Sequence, residues 1–296
     1  MYTQILFPTD GSEGASVAFD HVLDIAAAHD STVHVLNVAD TTRDSVVRMR
    51  GDVVDVLERE GDRIVGDAVD RARERNVNAV SEVRQGTPYS TIIDYADSRA
   101  IDLVVMPTHG RRGLERFLLG STTERVVRRA DVPVLTLTPD GESVTYPYRD
   151  VLVPTDGSDC AREALTVGVE IADAEDAALH LLSVITTTSL GVDVRSDIQL
   201  TTLEESARTI LEGAASFAGD AGVDPVSETI EAGPSIHDAI CAYIDGHDID
   251  LVVVGTHGRT GFDRYLLGSV TEQLVRTSPI PVLTVRESQS EAEDRR

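Results

Sequence analysis

The residues of this chain that could do chemistry come in two matching sets. In the later set, Gly255-Thr256-His257-Gly258 is followed nine residues on by Gly268-Ser269-Val270-Thr271. Glycines so placed let backbone approach a ligand closely or take a positive φ. A Gly-Ser that opens a helix offers unbonded N–H groups at the positive end of the helix dipole, which suits a phosphate. The Ser269 and Thr271 hydroxyls can add hydrogen bonds. From one copy, an ordinary strand-to-helix loop with glycines at its turns would look the same. The loop occurs twice, however: residues 108–121 match residues 256–269 at 10 of 14 positions. A second segment, Pro8-Thr9-Asp10-Gly11-Ser12, returns as Pro154-Thr155-Asp156-Gly157-Ser158. Its Asp can accept from a sugar hydroxyl or a base amine, or it can open a tight turn ahead of a helix.

Other polar residues of these loops carry two readings each. His109 and His257 could partner a phosphate or donate a proton, or they could be polar loop residues. Arg111, Arg116, Arg259 and Arg264 could pair with phosphate oxygens or form ion pairs elsewhere. The remaining histidines have no metal-ligand spacing, so no metal site is expected. No Ser-His-Asp or nucleophile-elbow pattern is present, and no catalytic residue is assigned.

Composition narrows the classes. The 296 residues carry 51 Asp+Glu against 26 Lys+Arg, a formal net charge of −25. All 26 cations are arginine. The absence of lysine excludes a Walker-type P-loop and a Schiff-base lysine. The acidic balance argues against nucleic acid and against anionic membrane surfaces as partners. Residues 1–150 hold 25 acids and 17 arginines, and residues 151–296 hold 26 and 9. A salt-rich cytoplasm, in which dense salt screens self-repulsion, accounts for such a surface. Cys160 and Cys241 fit no zinc or redox spacing and read as free core thiols of a reducing compartment. The N-terminus has no basic, apolar leader pattern and no apolar run reaches 18 residues, so a cytoplasmic protein is expected.

The elements that must position the loops repeat as well. Residues 4–12 return at 150–158, 101–105 at 249–253 and 133–136 at 281–284, so the period is that of a domain. In the first unit, β-branched apolar runs at 4–8, 32–38, 80–84, 103–107 and 134–138 predict strands covered on both faces. Helical patterns fall between them at 12–29, 48–75, 88–99 and 121–130, with Ser12 and Ser121 as expected N-caps. The second unit predicts strands at 151–154, 178–185, 226–231, 251–255 and 282–286. Alternating strands and helices imply an α/β class with open parallel sheets and helices on both faces. The boundaries expected are 1–139 and 149–287 for two domains, with a linker at 140–148 and a polar tail at 288–296. In such sheets a ligand crevice lies at the carboxyl ends of the strands, where both loops fall.

The pattern Gly-x2-Gly-x9-Gly-Ser after the fourth strand, with an Asp closing the first, resembles the universal stress protein family, and in particular its ATP-binding branch. The resemblance spans about 4–138 and again about 150–286. It implies two five-stranded, adenine-nucleotide alpha-hydrolase-like sheets of strand order 3-2-1-4-5. It also implies pairing of the two domains through their fifth strands, and leaves room for a homo-oligomer. Carried over by position, Pro154, Asp156 and Val184 would face adenine and ribose; Gly255, Gly258, Gly268, Ser269, Val270 and Thr271 would face the phosphates. In the first unit the matching positions are Pro8, Asp10, Val38, Gly110, Gly120, Ser121, Thr122 and Thr123. The first unit departs at Pro107, which stands where Gly255 stands and has no N–H to donate. The function implied is binding of ATP or another adenine nucleotide, with Mg²⁺ on the phosphates, in stress response or signalling. Two alternatives stay open: a slow ATPase or nucleotidyl- or phosphotransferase, and a structural stress module with no nucleotide in the first domain.

Overall fold

The computed structural model of the chain describes residues 1–40, 52–110, 119–138, 144–187, 194–258 and 267–287. The chain divides into two compact units, Met1–Tyr146 and Pro147–Arg296. Arg111, Arg116, Arg259, Arg264, residues 140–143 of the expected linker and the whole of the expected tail lie outside the described residues.

The first unit runs β1 (Gln4–Pro8), α1 (Glu13–His29), β2 (Thr32–Ala39), α2 (Asp52–Glu74), β3 (Asn78–Gln85), α3 (Pro88–Ser98), β4 (Leu103–Pro107), α4 (Ser121–Arg129) and β5 (Val134–Leu137). Its strand order is β3-β2-β1-β4-β5, with parallel neighbours throughout. The second unit runs β6 (Asp150–Pro154), α5 (Asp159–Glu175), β7 (Ala178–Thr186), α6 (Val194–Asp220), β8 (Val226–Gly233), α7 (Ile236–Gly246), β9 (Leu251–Gly255), α8 (Ser269–Thr277) and β10 (Val282–Val285). Its order, β8-β7-β6-β9-β10, is the same. Each unit thus has the 3-2-1-4-5 order, and the order reverses beside the first strand.

The central strands are short apolar runs because helices cover both of their faces. Ile5, Leu6 and Phe7 of β1 and Leu103 to Val105 of β4 are buried, as are Val151 to Val153 and Leu251 to Val253. On one face α1 buries Ala15, Ala18, Phe19, Val22, Ile25 and Ala26, a stripe at helical spacing. Phe19 lies 4.9 Å from Phe7 across that interface. On the other face, polar pairs fix α3 and α7 to the sheet. His34 Nδ1 lies 3.0 Å from the Tyr95 hydroxyl, and His180 Nδ1 lies 3.1 Å from the Tyr243 hydroxyl. In the first unit the other ring nitrogen meets Gln4 at 2.7 Å; in the second it meets Asp150 at 3.0 Å.

The helix starts differ from expectation at one place. Ser12 caps α1, its hydroxyl accepting from the Ala15 N–H, and Ser158 does the same for α5. Ser121 is not a cap: it is the first helical residue of α4, and Gly120 occupies the cap position with no side-chain hydrogen bond. The Gly120 N–H donates to the Thr108 carbonyl at 2.7 Å, and the cap falls on Gly120, one residue earlier than expected. Gly268 and Ser269 repeat this arrangement at α8.

Candidate functional site

Both loops of each unit emerge at the carboxyl ends of β1 and β4, or of β6 and β9, which are adjacent strands. The first loop is built by its own side chains. The Asp10 Oδ1 accepts from the Ser12 N–H at 3.0 Å, and the Thr9 hydroxyl accepts from the Gly11 N–H at 3.1 Å. Gly11 sits at φ 71°, a conformation that L side chains rarely adopt. The Thr9 N–H is anchored on the Leu36 carbonyl. Asp156, Ser158, Thr155 and Gly157 reproduce every one of these bonds, and Gly157 has φ 76°. Asp10 and Asp156 are therefore half in a turn motif, and their second carboxylate oxygen points elsewhere.

It points at the glycine loop. A Cβ added to Gly258 would lie 2.8 Å from Asp156 Oδ2, and one added to Gly110 would run into Asp10 Oδ2. The glycine is needed because a motif carboxylate from the neighbouring strand occupies the space of a side chain. The two loops, about a hundred residues apart in sequence, thus form one wall in each unit.

The far end of the glycine loop is bound tightly to its strand. Besides the Gly120 N–H bond, the Thr123 hydroxyl donates to the Pro107 carbonyl at 3.0 Å, and Thr271 to the Gly255 carbonyl at 2.7 Å. Thr123 and Thr271 are buried. Their hydroxyls clamp helix to strand, so what these two residues offer a ligand is backbone N–H. Ser121 and Ser269 are exposed, and Thr122 and Val270 half-buried. The start of α4 and of α8 therefore presents uncapped N–H groups beside a small hydroxyl, an arrangement suited to an anion.

Val38 and Val184, half-buried, lie near the ends of β2 and β7, two residues beyond the carbonyls that anchor Thr9 and Thr155. Pro8 and Pro154 end β1 and β6. His109 and His257 are half-buried, each with Nδ1 3.2 Å from the hydroxyl of the preceding threonine. Apart from Arg111, Arg116, Arg259 and Arg264, the site positions expected from the sequence are thus described, and each unit brings its Asp and its loop glycine into contact. Among the described residues no group of three or more His, Cys, Asp and Glu could hold a metal ion. A cavity of about 160 Å³ in the first unit, lined by Phe7, Ser12, Phe19 and Ile64 with Arg63 and Arg71, lies between α1 and α2. No residue of the glycine loop lines it.

Two features were not expected. Gly255 lies against Cys160 of α5. In the first unit, Arg125 and Arg129 of α4 pack on the ring of Tyr89 from α3. The position of Arg125, four residues after Ser121, was a usable signal for its sharing a face with the helix start; its aromatic partner was not.

No helix of the described residues is long and apolar enough to cross a membrane. A model described as the universal stress protein family matches residues 1–137 and 147–286. The universal stress protein Rv2005c of Mycobacterium tuberculosis is 32% identical over 241 residues, covering 78% of each chain. The universal stress protein MJ0531 of Methanocaldococcus jannaschii is 35% identical over 138 residues, which is 46% of this chain and 81% of that protein. Among solved structures, a universal stress protein from Archaeoglobus fulgidus superposes with a TM-score of 0.72 at 24% identity, covering 96% of this chain and 98% of that one.

Proposed function

The chain belongs to the universal stress protein family, in both of its halves, and from that premise we propose that each unit binds an adenine nucleotide at the carboxyl ends of its sheet. One observation carries the reading: in both units the carboxylate of the first loop meets a glycine of the second, at the end of the sheet where an uncapped helix also starts. Asp10 and Asp156 would accept from ribose hydroxyls or the adenine amine, with Pro8 and Val38, or Pro154 and Val184, alongside. The N–H groups of 121–123 and of 269–271 would hold phosphate oxygens. Any Mg²⁺ would ride on the phosphates, since they supply the hard oxygen ligands it favours. We read the protein as a binding and signalling module of a salt-adapted cytoplasm.

Calorimetry with ATP in molar KCl tests this reading. Two sites are expected in the natural chain. Gly268→Val should remove one, because a Cβ there already lies 3.3 Å from the His257 Cα and 3.4 Å from the Thr256 carbonyl, and further bulk must displace the loop. Gly120→Val should remove the other, for the same reason against Thr108 and His109. ATP affinity and stoichiometry unchanged in both variants would sink the assignment.

A further inference from the structure

The two units differ at the flank of the helix that would hold phosphate. In the first, Arg125 and Arg129 lie on the Tyr89 ring with guanidinium carbons 4.9 and 5.0 Å from its centroid. Both arginines are exposed. Among the described residues neither has a carboxylate within ion-pair distance, whereas Arg128 between them bonds Glu124 at 2.8 Å. In the second unit the Glu124–Arg128 pair recurs as Glu272 and Arg276, but Gln273, Thr277 and His237 stand where Arg125, Arg129 and Tyr89 stand. There, His237 Nε2 meets the Thr277 hydroxyl at 2.8 Å and no cation faces the groove between α7 and α8 from these positions.

Position on the helix gives this difference a meaning. Arg125 follows Ser121 by one helical turn, so the two share a face. Side chains tilt toward the N-terminus of a helix, which brings Arg125 back along the turn that opens α4. Tyr89 is the second residue of α3, which also begins at the carboxyl end of the sheet. Stacking on a ring belonging to another helix restrains a long side chain whose ordering entropy would otherwise oppose binding. The planar guanidinium is the group that pairs two oxygens of one phosphate at once.

Resting on the nucleotide reading above, we infer that Arg125, braced by Tyr89, engages the outermost phosphate of a nucleotide seated on the start of α4. The first unit then selects nucleoside triphosphates over monophosphates, and the second unit, with Gln273, discriminates far less. A charge-assisted hydrogen bond of this kind changes affinity by about ten- to a hundredfold.

The test is calorimetry on the full chain in molar KCl with ATP and AMP as titrants. It compares the natural chain with Arg125→Gln, Arg125→Lys and Gln273→Arg, with melting curves to verify folding. Arg125→Gln should weaken ATP about ten- to a hundredfold at one of two sites while leaving AMP unmoved, and Arg125→Lys should restore part of the loss. ATP affinity unmoved by Arg125→Gln overturns the inference. So does an equal loss for AMP, which would mark Tyr89–Arg125 as a merely structural stack. If Gly268→Val abolishes all ATP binding, the first unit holds no nucleotide: this inference falls while the nucleotide reading survives for the second unit. No ATP uptake by the natural chain ends both.

Discussion

Gly255 and Cys160 touch: a Cβ on Gly255 would lie 2.9 Å from both the Sγ and the carbonyl oxygen of Cys160. The Cys160 Sγ is itself held 3.3 Å from the Val285 carbonyl. In the first unit the corresponding pair is Pro107 and Gly14. The bulk has changed sides, from helix to strand. Pro107 is thus half of a packing exchange, and its carbonyl accepts from Thr123 as the Gly255 carbonyl accepts from Thr271. Gly255→Pro alone should destabilise the second unit by about 1–3 kcal/mol, the range for overpacking a filled core. Gly255→Pro with Cys160→Gly should recover most of that loss. Chemical denaturation of the two variants decides it; an additive or larger loss in the double variant would contradict the exchange.

The same contact bears on ligand affinity. If a nucleotide uses the N–H of residue 255, the first unit lacks that one contact, since Pro107 cannot donate. Calorimetry on Pro107→Gly should then show a gain at the first site of about tenfold or more, the equivalent of one hydrogen bond to a charged ligand. Two sites unmoved by this substitution would mean that only the carbonyl of this position matters.

Most of the architecture was legible because the chain states it twice. Short apolar runs bounded by helical patterns placed all ten strands to within about two residues, and the repeated loops were expected at the carboxyl ends of adjacent strands, where they lie. What was not legible depended on contacts across the sheet. Nothing local shows that Gly110 and Gly258 are glycine because Asp10 and Asp156 fill the space. Nor does the sequence show that the hydroxyls of Thr123 and Thr271 turn inward to strand carbonyls. Ser121 looked like a cap by type, yet the cap falls on Gly120. The Tyr89 stack joins two helices whose separation in sequence hides it.

Acid should act chiefly on the first unit. His21, 4% exposed, has its pKa lowered by burial from 6.5 to about 4. Its neutral form is the folded form, so between pH about 6.5 and about 4 the unfolded chain binds the extra proton. Stability is therefore whole above pH 6.5 and falls as pH drops toward 4, by about 3 kcal/mol from this group. His34 adds to the same trend, its pKa lowered by burial and then by Arg99. His21→Phe should flatten the acid limb of a denaturation series in molar KCl. An acid limb identical to that of the natural chain would show that another group dominates.

Salt should act chiefly on the second unit. The net charge of −25 is shared unevenly, −8 before residue 151 and −17 after it. The first unit also ties arginines to acids on the faces of α1 and α2: Arg71 bonds Asp20 at 2.8 Å, Arg75 bonds Asp24 at 2.6 Å, and Arg63 bonds Glu60 and Asp67. These exposed pairs contribute little each, about 0.2–1 kcal/mol, and salt weakens them. Self-repulsion in the second unit is relieved by the same salt, as the screening length shrinks from about 10 Å at 0.1 M to about 3 Å at 1 M. The two effects oppose one another, and repulsion is the larger where 17 charges are unbalanced. Melting should therefore show two transitions at low salt, the second unit unfolding first, which merge as KCl approaches molar concentration. Each kcal/mol gained moves a midpoint by about 2–4 °C in a domain of this size, so the shift is measurable. Hydrogen exchange at about 0.1 M KCl assigns the order: faster opening across β6–β10 than across β1–β5 is expected. The reverse order, or midpoints indifferent to salt, would show that the acidic surface is not what limits folding.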